Sequence, residues 1–289
     1  MRQKIKHREK GWAQGLGVEA MAHDHTHNLS LPSLAKEEGI EVFSPEKILD
    51  MSRRAGVREI MEVACEEKYF EEAAKFAEGN EGVYYALAIH PLEALKYERR
   101  EDYDLAFEKM KKVMQDFPKK LSAVGESGMD FFHAPLSTLP LQKKALLDHV
   151  SLSNDLGLPL QIHDHLAHRE VLEALKEGGA KKVVFHSFSG DADFARAVCR
   201  EGWYLSLSGM ITFKNASEVR EAFLAAPRDK ILAETDAPSL TPSPFRGRPN
   251  APWMLGYTLR FMGDLLNVPA SEIAKITREN ALKAYEAWR

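Results

Sequence analysis

A (β/α)8 TIM barrel of the α/β class, built as a single domain, is the fold this sequence predicts, and three observations predict it. Short apolar runs alternate with helical periodicity eight times between Val18 and Glu234, the pattern of a parallel sheet with covering helices. Most of these runs end in a histidine or a carboxylate just before a loop. No GxGxxG or Walker-type run follows the first of them, which weakens the rival, a doubly wound open sheet. A length of 289 residues holds one barrel of roughly 250 residues.

The elements follow in order. Residues 1–18, with Arg2, Lys4, Lys6, Arg8 and Lys10, lack apolar periodicity and read as a basic arm, either a solvated tail or a nucleic-acid-binding segment. The barrel spans 19–289, and Met21, just before the first motif, is an alternative start. The first strand runs from Val18 into HDHTH, whose alternate His23, His25 and His27 would share a strand face. A His-x-His pair can present two imidazoles to one ion; the plainer alternative is a surface histidine tract. Ser44-Pro45-Glu46 opens a helix that stops near Gly56. Strands are expected at Val57–Ala64, Gly82–Ile89, Leu121–Gly125, Leu158–Ile162, Lys181–Phe185, Trp203–Leu207 and Lys230–Glu234. The last six of these deliver His90, Glu126, His163, His186, Ser208 and Thr235-Asp236 in turn. Helices are expected near Glu66–Glu78, Tyr103–Asp116, Pro140–Leu156, from Asp191, at Trp253–Leu266 and at Ala270–Ala287.

Composition narrows the classes. Hydrophobic content of 44% and charged content of 28% match a globular chain with a full core. No stretch approaches the roughly 20 apolar residues of a membrane span. No signal peptide is read at the start. Two cysteines, Cys65 and Cys199, make a disulfide framework improbable and a reducing cytoplasm the expected location; both read as small apolar fillers. A net charge of −4 argues against a broadly basic nucleic-acid surface, though not against a local grip on a few phosphates.

In a barrel all strand tips open on one face, so His25, His27, His90, Glu126, His163, His186 and Asp236 should converge at one mouth. Five imidazoles and two carboxylates exceed what one tetrahedral zinc takes. With a bridging carboxylate they suit two divalent ions about 3.5–4 Å apart. Asp236 could ligate an ion and accept a proton from an attacking water; its alternative is an N-cap or a partner that orients a histidine. Ligand type favours Zn²⁺, Mn²⁺ or Fe²⁺ over Mg²⁺. For substrate, Ser189 lies in a turn that opens a helix, where backbone N–H groups favour phosphate, or it simply caps that helix. Arg246 and Arg248 could grip phosphate or pin their loop. Phe131 and Phe132 could stack on a base or pack their loop. His7, His133, His149 and His168 read as ordinary polar residues.

HTH at His25–His27, AIHP at Ala88–Pro91, GESGMDFF at Gly125–Phe132, IHDH at Ile162–His165, HSFSG at His186–Gly190, LSLSGMITFKNA at Leu205–Ala216 and ETDAPSLTPSPFRGRPN at Glu234–Asn250 occur in a familiar order. From Met21 onward the chain closely resembles the TatD-type metal-dependent deoxyribonucleases of the amidohydrolase-like superfamily. That resemblance implies one ion held by His25, His27, Glu126 and Asp236. Glu126 would bridge to a second ion on His163 and His186, and His90 would lie near the scissile phosphate. It implies hydrolysis of DNA phosphodiesters, in some members as a 3′-to-5′ exonuclease on single strands, with DNA as the partner and no obligate protein partner.

Three positions depart from the family's pattern. His23-Asp24 stands where an aspartate is usual just ahead of the HxH pair, so a His23/His25 register rivals His25/His27. His165 replaces an arginine, which weakens a phosphate contact or makes it pH-dependent. Ser239 replaces a tyrosine. Two other functions share the same residues: hydrolysis of an amide, lactone or ester by the same cluster, and a non-enzymatic metal-binding barrel.

Overall fold

A computed structural model describes residues 18, 20–27 and 43–288. The arm expected over residues 1–18, with His7, lies outside the described residues except for Val18, which is buried beside Ala55. Eight strands run in chain order: β1 Met21–Thr26, β2 Val57–Ala64, β3 Val83–Leu87, β4 Leu121–Asp130, β5 Leu160–His165, β6 Val183–Phe185, β7 Tyr204–Leu207 and β8 Ile231–Ala233. Each pairs in parallel with the next. The ring closes where Thr26 bridges Ala237 and the His27 N–H donates to the Ala237 carbonyl at 2.8 Å. This is the predicted (β/α)8 barrel.

Helices α1 Pro45–Arg54, α2 Phe70–Gly79, α3 Pro91–Ala94, α4 Arg100–Asp116, α5 Leu139–Leu156, α6 His168–Glu177, α7 Ala192–Arg200, α8 Ser217–Ala225, α9 Leu255–Leu266 and α10 Ala270–Ala284 cover or extend it. Ser44 caps α1 with Pro45 behind it, and Gly157 closes α5 in the left-handed region, as the sequence signals foresaw. Helices α3, α6 and α8 were not expected: α3 is a single turn, α8 is weakly amphipathic, and α6, although amphipathic, has no side-chain cap to mark its start. Among the described residues no helix is long and apolar enough to cross a membrane.

Strand alternation builds two cores. Met61, Val63, Ala86, Ala123, Val184 and Leu232 fill the barrel interior, while their neighbours Ile60, Tyr85, Leu87, Val124, Phe185 and Ala233 face the helices. The C-terminal segment plugs the interior from below with Tyr285 and Trp288, stacked at 4.9 Å. The chain therefore ends in a 3₁₀ turn, Glu286–Trp288, instead of continuing the last helix to Ala287.

One strand differs from expectation in a way that matters. The sequence placed Glu126 at the tip of a strand ending at Gly125, yet β4 runs on to Asp130 and pairs with β5 as far as His165. Its register slips between Val124 and Ser127. A one-residue slip exchanges the faces of a strand, so the inward set changes from Ala123 to Glu126, Gly128 and Asp130.

Candidate metal centre

Inward parity, continued past the core layers, carries β3 to His90, β5 through Gln161 to His163, β6 to His186 and β8 through Glu234 to Asp236. The structure brings together all seven side chains expected at the mouth. Glu126 stands in the middle, and its two oxygens face different pairs of imidazoles. Oε1 lies 3.3 Å from His27 Nε2 and 3.9 Å from His25 Nε2. Oε2 lies 2.5 Å from His186 Nε2 and 3.2 Å from His163 Nδ1. Asp236 Oδ1 completes the first side, 3.7 Å from His27 and 3.9 Å from His25. Ligands about 2.1 Å from a tetrahedral ion lie about 3.4 Å from one another, so both halves have the scale of a cation site.

The far nitrogen of each ring is engaged, which sets the tautomer. His25 Nδ1–H donates to Gln161 Oε1 at 3.2 Å, and His27 Nδ1–H donates to the Val63 carbonyl at 2.8 Å. His186 Nδ1 faces Glu234 Oε1 at 3.4 Å, and His163 Nε2–H donates to Asp130 Oδ2 at 3.1 Å. Each ring therefore turns its second nitrogen towards Glu126, the orientation that metal-binding histidines take from their outer partners. His25 Nε2 and His27 Nε2 stand 3.1 Å apart, a spacing at which both can face one cation. The donor set fits divalent metal.

Beneath it, Gln161 donates to the Asp24 carbonyl at 2.7 Å and to the Tyr285 hydroxyl at 2.9 Å, and that hydroxyl donates to Asp24 Oδ2 at 3.2 Å. The barrel plug thus steadies the floor of the site. His23 takes no part in the cluster: its Nε2 lies 2.7 Å from Thr235 Oγ1. The His25/His27 register stands over its rival.

Burial pushes the Asp236 carboxyl up to about 6, although His186 and His27 pull the other way. Burial would lower His27, but the hydrogen bond and charge of Glu126 and the charge of Asp236 raise it to about 9. His90 is lowered to about 3, first by burial and then by His163. Its Nδ1 accepts the Leu92 N–H at 3.1 Å, so the neutral ring carries its proton on Nε2.

Several partners escaped the sequence reading. Cys65 is no apolar filler: its Sγ accepts the Glu126 N–H at 3.2 Å and lies 3.9 Å from Glu126 Oε1. Its place directly after β2 was the available signal. Gln161, Glu234 and Asp130 precede or follow a recognised ligand by an even number of residues, which puts them on the same strand face. His149 is not an isolated polar residue either. It accepts the Ile89 N–H at 3.0 Å on Nε2 and donates from Nδ1 to the Ala145 carbonyl at 2.8 Å, tying α5 to the residue before His90.

A family model described as TatD related DNase matches residues 22–286. The chain belongs to the TatD related DNase family. An uncharacterized metal-dependent hydrolase TatD of Mycobacterium tuberculosis is 36% identical over 270 residues, covering 92% of this chain and 97% of the relative. The human deoxyribonuclease TATDN3 is 26% identical, covering 84% of this chain and 89% of the relative. Among solved structures, the TatD homologue YJJV of Escherichia coli superposes with a TM-score of 0.81 at 27% identity, covering 92% of this chain and 98% of the other.

At the rim of this TatD-family barrel, Asp191, and not Ser189, caps α7, accepting the Phe194 N–H at 2.8 Å. The Ser189 hydroxyl donates to the Asp164 carbonyl at 3.3 Å. Arg246 is exposed, with its guanidinium 3.6 Å above the Phe213 ring. His165 reaches towards Asp130 (3.8 Å), which His133 also contacts at 2.8 Å, so His133 has a partner that the sequence did not reveal. Phe131 packs on the core, whereas Phe132 stays 62% exposed.

Proposed function

We propose that the protein is a divalent-metal-dependent deoxyribonuclease that hydrolyses DNA phosphodiesters, releasing nucleotides from single-stranded 3′ ends. The single observation carrying this reading is the division of Glu126, one oxygen towards His25 and His27 and the other towards His163 and His186. His25, His27 and Asp236 with Glu126 would hold one ion, and His163 and His186 with Glu126 the second, be they Zn²⁺, Mn²⁺, Fe²⁺ or Mg²⁺. Such a pair would supply Lewis-acid charge at the phosphodiester and would acidify a bound water, from a pKa of 15.7 towards about 7.

The remaining work falls to side chains. Asp236, whose Oδ1 faces His25 and His27, accepts the proton of the attacking water. His90 is a fixed neutral donor whose Nε2–H is available to a phosphate oxygen. Gln161, Glu234 and Asp130 keep the ligating rings from turning. Arg246 offers phosphate a bidentate cation at the rim, and Ser189 and His165 border the same opening. With a net charge of −4, the grip on DNA is local.

The test is direct. Protein freed of metal by chelation and reloaded with Mn²⁺ or Mg²⁺ is offered a single-stranded oligonucleotide, with amide, lactone and ester panels in parallel. Release of mononucleotides is expected. Intact DNA ends beside turnover on an amide or ester would replace this reading with the other hydrolase reaction.

A further inference from the structure

The carboxylate of Asp130, buried at the end of β4, clamps the loop that follows. Its Oδ1 accepts the N–H groups of Phe132 at 2.9 Å and His133 at 2.8 Å, while its Oδ2 faces His133 Nδ1 and His163 Nε2. The clamp holds an aromatic outward. Phe132 lies flat against His165, with ring centroids 4.5 Å apart and planes within 13°, and His133 meets it edge-on at 4.7 Å. Stacking on His165 occupies one face of the Phe132 ring, yet 62% of the residue remains accessible. Its neighbour Phe131 packs inward, so the loop does not need both rings for its own stability. The His165 ring centre lies 6.4 Å from that of His163, which puts the stack beside the carboxylate–imidazole cluster.

We propose that Phe132, backed by His165, is a stacking platform for a nucleobase of the strand whose phosphodiester lies in the cluster. The inference rests on the nuclease reading and deepens it by naming a specificity contact. A flat, open ring with a second ring parallel behind it recognises a π-face, and every nucleobase has one. In a duplex those faces are covered by neighbouring bases, so the platform favours unpaired ends without choosing among sequences. Asp130 acts here as a positioning residue through the loop backbone.

The experiment compares wild type, Phe132→Ala and Phe132→Trp on two single-stranded oligonucleotides. One ends in thymidine and the other in 5,6-dihydrothymidine, whose puckered ring keeps the hydrogen-bonding edges but stacks poorly. For the thymidine end, Phe132→Ala should raise KM roughly 5- to 150-fold with kcat within about twofold, and Phe132→Trp should restore it. For the dihydrothymidine end, wild type and Phe132→Ala should share one high KM. Equal effects of the variant on both ends, or none on either, overturn the platform alone. Absence of cleavage of both by wild type overturns the nuclease reading and the platform with it.

Discussion

His149 offers a stability experiment whose magnitude follows from the structure. The ring is fully buried, and burial lowers its pKa to about 4 against opposing contributions from the Ala145 carbonyl and Asp148. A proton on Nε2 would oppose the Ile89 N–H that now donates to it. The folded protein therefore keeps the ring neutral, while the unfolded chain takes up a proton below about 6.5. This contribution is fully present above pH 6.5, declines as the pH falls, and is exhausted near the folded value of about 4. From pH 7 to pH 5 the loss is about 2 kcal/mol. His149→Leu removes the titration and leaves the buried Ile89 N–H without an acceptor, costing about 2–4 kcal/mol at pH 7. Urea unfolding of wild type and variant, both in chelator so that metal binding does not intervene, gives the difference at each pH. The gap between them should narrow by about 2 kcal/mol on going to pH 5. Parallel pH profiles would refute the claim that the ring is held neutral by its surroundings.

Three further outcomes are expected. Asp236→Asn should lower DNA hydrolysis by roughly 10²–10⁴-fold, measured on variant protein whose bound metal is quantified; activity within tenfold of wild type removes Asp236 as the proton acceptor. Gly128→Ala should cost more than about 3 kcal/mol or prevent soluble expression, because a Cβ there would stand 1.9 Å from the His163 carbonyl oxygen; a urea midpoint like that of wild type contradicts the β4–β5 packing. Arg246→Ala should weaken binding to single-stranded DNA and reduce the slope of log K against log salt by about one phosphate contact, with kcat little changed; an unaltered slope places Arg246 on Phe213 alone.

Much of this was open to reading from residue order. Side chains on a strand alternate, so the in-register pairs Gln161/His163 and Glu234/Asp236 declare a common face, and the apolar runs before them declare a buried strand. Residue type did the rest, since imidazoles and carboxylates repeated at strand ends have few uses besides binding cations. The expected convergence of His25, His27, His90, Glu126, His163, His186 and Asp236 followed from those two local facts plus closure of the barrel. Helices without a side-chain cap to mark their start, such as α6 and α8, gave no comparable signal.

Other features exist only in the folded molecule. Glu126 faces inward because β4 slips against β5, and a slip belongs to a pair of strands, not to either sequence. His25 and His27, and not His23, join the cluster because β1 slips against β2 between His23 and Thr26, which leaves His23 on Thr235, 212 positions away in the chain. The ligating nitrogens are selected by Gln161, Val63, Glu234 and Asp130, and Cys65 meets Glu126 across neighbouring strands. The sequence alone determined which groups are available and, on strands without a slip, which way each is presented, because backbone alternation makes that a local property. Which atoms of those groups meet, and in which protonation state, was decided by packing, because hydrogen bonding and desolvation depend on neighbours that only the tertiary structure supplies.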